Sequence, residues 1–364
     1  MTRTFERLRA RIERDGPITV AQYMAEVLAH PTEGYYATRD PFGEQGDFVT
    51  APEISQMFGE LLGLWCAEAW QRQGRPAPVN LVELGPGRGT LMADALRAAK
   101  IVPGFRDALR IHLVEVSPSL RARQAETLRG LDVTWHPDAG RLPAGPILVL
   151  ANEFFDALPV RQFEKTPGGW CERLVGYHPE HDRLAFALSR PSREAAAFVP
   201  PALADAGTGA IVEVSPATLT IGREIGRRVA TDGGAALVVD YGTEAPSGRP
   251  SLQAVRKHAR AEVLDRPGTA DLTAHVDFAA LRNALAAGGT ETHGPTAQGT
   301  LLNALGIGER GTILQRNATT KQARAIDAAR QRLTDAAQMG ELFKALAAVP
   351  PGYGTPAGFP EPKA

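Results

Sequence analysis

Cysteine is nearly absent. Cys66 and Cys171 are the chain's two cysteines, too few for a disulfide framework, and no metal-ligand spacing surrounds either. They read as free thiols of a reducing compartment. Excess charge is missing too: 40 Lys and Arg face 41 Asp and Glu, a formal net charge of −1. A strongly basic nucleic-acid platform is therefore not expected. No apolar run approaches the roughly 20 residues of a membrane span, so no integral membrane segment is expected. Residues 1–16 intersperse Arg3, Glu6, Arg7, Arg9, Arg11, Glu13, Arg14 and Asp15, with neither a signal-peptide core nor the acid-free leader of a transit peptide. These absences lead to the expectation of a soluble intracellular protein. Its compartment reads as the cytoplasm of a bacterial cell, or the mitochondrial matrix if a transit peptide has been removed. What is present is a chain of 364 residues, 43% hydrophobic and 22% charged. That suffices for a sizeable core in one large domain or two modest ones.

Thr19 reads as the N-cap of a helix over about 19–29, stopped by His30-Pro31. A loop rich in Gly, Pro and aromatics follows over 33–52, and so long a stretch without periodicity is more often functional than idle. Ile54, Met57, Phe58, Leu61, Leu62, Trp65 and Ala69 then recur at helical spacing over 53–72. From residue 79 short apolar runs alternate with helical stretches: Val79–Leu84, helix 90–100, 111–116, helix 118–129, 133–135 and 147–151. This alternation is the signature of an α/β fold with a parallel, Rossmann-like sheet covered by helices. Over about 160–210, residues 170–177 and Arg183–Leu188 read as an inserted β-hairpin. The α/β pattern resumes with Ile211–Val214, helix 217–231 and strand 235–240. The remainder reads as helical over 274–287, 298–305 and 319–348. Five Pro and three Gly in 350–364 read as an extended or disordered tail. The expected organisation is an N-terminal helical and lid segment (1–78), a core (79–242), a mostly helical C-terminal part (243–349) and a flexible tail (350–364).

The strongest local signal is Val82-Glu83-Leu84-Gly85-Pro86-Gly87-Arg88-Gly89-Thr90, between an apolar strand and a helix. Glycines let a backbone turn sharply and approach a ligand closely. A dinucleotide site prefers G-x-G-x-x-G, whereas here the order is E-x-G-x-G-x-G. That resembles the first motif of class I methyltransferases, which bind S-adenosyl-L-methionine. The plainer reading is an ordinary glycine-rich βα turn. Glu115 ends the next strand, where a carboxylate can accept both ribose hydroxyls. Asp138, after the third strand, reads either as a contact to the adenine edge or as a solvated surface acid. Asn152, Glu153, Phe154, Phe155 and Asp156 leave the fourth strand where such enzymes place the acceptor atom. Glu153 and Asp156 can form a carboxylate clamp on a guanidinium; alternatively, Asn152 and Asp156 cap a following helix. If Asp156 only caps, the second acid would come from Glu44, Asp47 or Glu53.

Six ordered blocks carry a wider resemblance: GDFVTAPEISQMFGE over 46–60, VELGPGRGTLM over 82–92, NEFFDALPVRQF over 152–163, VVDYG over 238–242, DLTAHVDF over 271–278 and TAQGTLL over 296–302. Together they resemble the MidA-like methyltransferases, the family of the mitochondrial complex I assembly factor that methylates arginine. The resemblance spans about residues 17–349. It implies a class I fold with extra N-terminal and C-terminal elements, and S-adenosyl-L-methionine as methyl donor. It also implies a protein substrate, a subunit of NADH:quinone oxidoreductase. By the same resemblance Gly85, Gly87 and Gly89 shape the cofactor turn, Glu83 faces the methionine end and Glu115 holds the ribose. Asn152 and Glu153 sit at the acceptor, and the 46–56 loop covers the cofactor as a lid. The run Ser251-Leu252-Gln253-Ala254 departs from the family pattern. A methyl transfer from a sulfonium needs no Lewis acid, so no metal is expected, and Asp271 or Thr273 beside His275 reads as a helix cap. Three rival readings remain: a small-molecule methyltransferase, a non-catalytic assembly chaperone retaining the cofactor fold, and an oxidoreductase preferring NAD.

Overall fold

A computed structural model describes residues 2–38 and 49–361. Its contacts divide the chain into two compact units, one of Met1–Phe48, Asp156–Leu219 and Thr243–Ala279, the other of Val49–Phe155, Thr220–Gly242 and Ala280–Ala364. Each of the segments 1–78, 79–242 and 243–349 is thus shared between the two. Among the described residues no helix is long and apolar enough to cross a membrane.

The second unit holds the Rossmann-like sheet. Its order is Glu291–Ala297, Phe343–Val349, Gly234–Thr243, Ile147–Asn152, Val79–Leu84, Leu109–Val114, Val133–His136. The last five strands run parallel. Val79–Leu84 and Ile147–Asn152 are buried at every position, as continuous apolar runs at the centre of a helix-covered parallel sheet must be. Helix Gln56–Arg72 packs closely on Thr90–Ala99 because glycines stand at the crossing. A Cβ on Gly63 would lie 2.6 Å from the Ala95 backbone.

Two expectations in this unit are corrected. The helix expected over 319–348 ends at Thr334, and Phe343–Val349 is a strand, antiparallel to both Gly234–Thr243 and Glu291–Ala297. Its alanines favour helix in isolation. Burial on both faces removed the alternation that would have marked a strand, and small side chains fit between two neighbours. The tail expected to be flexible is packed as far as Phe359. The Trp65 indole N–H donates to the Ala357 carbonyl at 3.1 Å. Arg72 donates to the Thr355 and Tyr353 carbonyls at 2.7 and 2.9 Å, and Phe359 joins the main core. Residues 362–364 lie outside the described residues.

The first unit is built on helices Arg3–Asp15 and Val20–Ala29. Thr19 and Gln22 form the capping box of the second helix. The first buries Phe5, Leu8 and Ile12, an apolar stripe at helical spacing that the dense charges conceal in the sequence. The inserted hairpin belongs to a sheet of order Ile18–Thr19, Gly169–His178, Arg161–Thr166, Ile211–Val214, with Arg183–Leu188 paired on Gly169–His178. Ile211–Val214 was expected to resume the parallel pattern. It pairs antiparallel with Arg161–Thr166 instead; the helix after it had imitated a βα unit. A small third sheet joins Ala259–Ala261, Gln253–Arg256 and Asp271–Thr273. Asp271 therefore lies in a strand and caps no helix, and the helix expected from 274 begins at Phe278.

Candidate functional site

The glycine turn follows Val79–Leu84 and opens helix Thr90–Ala99. Gly85, Gly87 and Gly89 hold φ of +61°, +52° and +81°, a left-handed geometry that side-chain-bearing residues adopt only under strain. The Gly85 amide donates to the Val114 carbonyl at 3.0 Å, which ties the turn to the next strand. Glu83, three per cent exposed, lies beneath it. Burial pushes its carboxyl up to about 8, against the pull of the Met92 amide. Its Oε2 has no hydrogen-bond partner among the described residues. A buried orphan acceptor is costly and suits a site that takes up a donor, such as the α-ammonium of S-adenosyl-L-methionine. The turn and this acid fit that cofactor.

Glu115 stands just beyond Leu109–Val114, its amide bonded to the His136 carbonyl at 3.0 Å. One carboxylate oxygen accepts the Ser117 amide at 2.7 Å and the other accepts Gln124 Nε2 at 3.2 Å. Burial raises its pKa, while those two donors oppose the rise. Gln124 is a residue that sequence reading missed. It is fully buried, and its Nε2 also donates to the Gly87 carbonyl at 2.8 Å. The Trp135 indole N–H donates to its Oε1 at 2.9 Å. An indole can only donate, so it orients the amide with its NH₂ toward both Glu115 and the glycine turn. Gln124→Leu keeps the volume and removes both donors. It is expected to weaken S-adenosyl-L-methionine binding about 10-fold in calorimetry, with kcat at saturating cofactor nearly unchanged. Equal affinity would show that Gln124 serves packing alone.

The fourth-strand exit is held by a second residue that was missed. Asp240, wholly buried at the adjacent strand, accepts the Phe154 and Phe155 amides at 3.1 and 2.9 Å and the Tyr241 amide at 2.9 Å. A signal was present, since Asp240 ends a buried strand of the same sheet, where α/β folds bind ligands. Fixed this way, Glu153 takes a left-handed φ of +49°, and such strain in a non-glycine residue clusters at functional sites. Its Oε1 accepts the Ala51 amide at 3.0 Å and Asn152 Nδ2 at 3.2 Å. Asn152 Oδ1 is buried without a partner among the described residues. The Phe154 ring lies over Gly85, where an added Cβ would come within 2.8 Å of it. The turn at 152–155 and the glycine turn are therefore neighbours.

Helix Ala51–Ile54 touches both turns. Besides the Ala51 bond, Glu53 accepts the Thr90 hydroxyl at 2.5 Å and stands 3.7 Å from the Arg88 guanidinium. Glu44, Asp47 and the 46–48 part of the expected lid lie outside the described residues. Asp138 is exposed and paired with Arg141 at 3.4 Å. Asp156 belongs to the other compact unit from Glu153. It caps no helix, because a turn leads from it toward strand Arg161–Thr166; its carbonyl accepts the Ala274 amide at 2.9 Å. In that unit the Tyr36 hydroxyl donates to Asp271 at 2.8 Å. Burial first, then Asp271 and Asp156, raise the Tyr36 pKa well above its ordinary value, so Tyr36 stays a donor.

Residues 61–296 match the family of S-adenosyl-L-methionine-dependent methyltransferases designated Methyltransf_28. The mitochondrial protein arginine methyltransferase NDUFAF7 of Mus musculus is 40% identical over 96% of this chain and 85% of its own length. Its Homo sapiens counterpart is 39% identical over 96% and 84%. A crystal structure from Burkholderia thailandensis, bound to S-adenosyl-homocysteine, superposes with a TM-score of 0.85 at 32% identity, covering 98% of this chain and 93% of that one.

Proposed function

Because the chain belongs to that family of S-adenosyl-L-methionine-dependent methyltransferases, we propose that it methylates arginine in a protein, a subunit of NADH:quinone oxidoreductase, during assembly of that complex. The observation that carries this reading is the contact of two turns in one compact unit. Glu153, held left-handed at the strand exit, is one residue from the Phe154 ring that covers Gly85. The names of the similar mouse and human proteins supply the acceptor, arginine, and the label mitochondrial. The compartment follows the substrate: the mitochondrial matrix, or the cytoplasm of a bacterial cell.

The bound cofactor supplies a methyl group activated by its sulfonium. Gly85, Gly87 and Gly89 leave room for it, Glu83 offers a carboxylate oxygen to its ammonium, and Glu115 accepts the ribose hydroxyls. Asp138 is left to the adenine edge or to solvent. Asn152, Glu153 and Asp156 are assigned to the acceptor. A guanidinium keeps its proton at neutral pH. Glu153 therefore acts by localising positive charge on two of its nitrogens, which leaves the third with a lone pair to align. The attacking nitrogen gives up its proton to water only as the new N–C bond forms.

The test is transfer of a labelled methyl group from S-adenosyl-L-methionine to the subunits of NADH:quinone oxidoreductase, followed by peptide mass spectrometry. Label on one arginine is expected. Label on lysine, on a metabolite, or no transfer by a chain that binds the cofactor would reject the reading.

A further inference from the structure

One turn in the first compact unit gathers metal-ligand side chains that none of the roles above uses. His178 ends strand Gly169–His178, Pro179–His181 forms a single 3-10 turn, and Asp182, at φ +44°, sends the chain into Arg183–Leu188. Residues three apart eclipse on a 3-10 turn, and Pro179 fixes φ at its start. The His178 and His181 rings accordingly face one another, centroids 4.6 Å apart and tilted by 32°. Glu180 reaches the same place: one ligand atom from each of His178, Glu180 and His181 lies within 4.8 Å of the other two.

One histidine of the set also carries an unsatisfied ring nitrogen. His178 Nδ1 is buried and has no hydrogen-bond partner among the described residues. Asp182, next in the chain, is already engaged; it accepts the Tyr177 hydroxyl at 2.8 Å and Arg9 at 3.5 Å. The donor set is therefore two imidazole nitrogens and one carboxylate oxygen.

We propose that His178, Glu180 and His181 bind one divalent cation of the zinc class, which clips the turn between the two strands. Imidazole with carboxylate suits zinc, nickel or copper, whereas magnesium and calcium prefer all-oxygen sets. Metal–nitrogen distances of about 2.0–2.1 Å require ligand atoms about 3.4 Å apart, a closure that rotamer adjustment of exposed Glu180 and His181 supplies. Water completes the shell. The short rigid turn lowers the ordering cost of assembling the ligands. The cation takes no part in methyl transfer, so the site stands or falls independently of the proposed function.

The full chain is titrated with zinc chloride against a chromophoric chelator, in the natural form and as His181→Ala, Glu180→Gln and His258→Asn. One equivalent of zinc is expected to bind. Loss of His181 should weaken it at least ~30-fold and loss of the Glu180 charge about 5-fold, with His258→Asn unchanged and excess magnesium without effect. The imidazole nitrogens of His178 and His181 should shift in labelled NMR spectra as the single equivalent enters. Cofactor affinity and the melting temperature of the metal-free variants should match the natural chain, which separates a lost ligand from a lost fold. No zinc uptake by the natural chain, or equal uptake by His181→Ala, would overturn the site. So would binding that disappears in His258→Asn.

Discussion

Glu83→Gln is expected to flatten the pH dependence of stability while removing most cofactor affinity. The Glu83 carboxyl is pushed up to about 8 by burial, whereas in the unfolded chain it titrates near 4.3. Between those values the folded state holds a proton that the unfolded state has released. Unfolding then becomes easier as pH rises, with a slope approaching ~1.4 kcal/mol per unit. Glutamine binds no proton in either state, so the difference between the two stability curves should grow steadily from pH 5 to 8 and then level. The cofactor ammonium requires the carboxylate form, so affinity of the natural chain should climb with pH toward 8. The variant, lacking a charge-assisted bond of about 1.5–3 kcal/mol, should bind about 10–100-fold more weakly at pH 8. Titration of the ligand itself cancels in the comparison. Denaturant unfolding and calorimetry at several pH values read both effects. Parallel stability curves, or equal affinity at pH 8, would remove Glu83 from the site. The acid thus stands where stability alone would favour an apolar residue, as expected at a binding site.

That tension explains what was legible in the sequence. The five parallel strands of the second unit and Thr19's capping role were readable because apolar runs, helical periodicity and cap chemistry are local signals. The glycine turn was readable because a turn of left-handed residues, as Gly85, Gly87 and Gly89 are, selects for glycine in the sequence itself. The strand Phe343–Val349 was not, since its neighbours in the sheet lie more than 45 residues upstream and its alanines carry the opposite local preference. Gln124 was hidden for another reason. It works through hydrogen bonds to a backbone carbonyl and a distant indole, and nothing in a glutamine announces either partner; the place of Asp240 late in a buried strand was legible, but its hold on the Phe154 and Phe155 amides was not. The helix-cap reading of Asp156 failed because a turn, and not a helix, follows it. Acidic residues after a strand look alike in sequence, and only the path of the next ten residues separates a cap from a buried acid.

Glu153→Gln carries the second large effect, on chemistry rather than binding. Glu153 already makes two bonds through Oε1, to the Ala51 amide and to Asn152 Nδ2. A glutamine can present its carbonyl oxygen to both and keep the turn, and Asp240 still fixes the Phe154 and Phe155 amides. The left-handed φ of +49° is imposed by these neighbours and not by the carboxylate charge. The substitution therefore leaves the Phe154–Gly85 contact in place, and S-adenosyl-L-methionine affinity should stay within about 3-fold of the natural chain. What disappears is the negative charge that localises the guanidinium's positive charge away from the attacking nitrogen. Loss of one such electrostatic group costs on the order of 10²–10³ in kcat. Single-turnover transfer of labelled methyl to the arginine-containing subunit should fall by that factor at saturating cofactor, with the loss in kcat and not in cofactor affinity. Glu153→Asp, which keeps the charge but withdraws it by one methylene, should recover only part of the rate, because alignment of the nitrogen is worth as much as charge. If glutamine transfers at the natural rate, the acceptor carboxylate lies elsewhere.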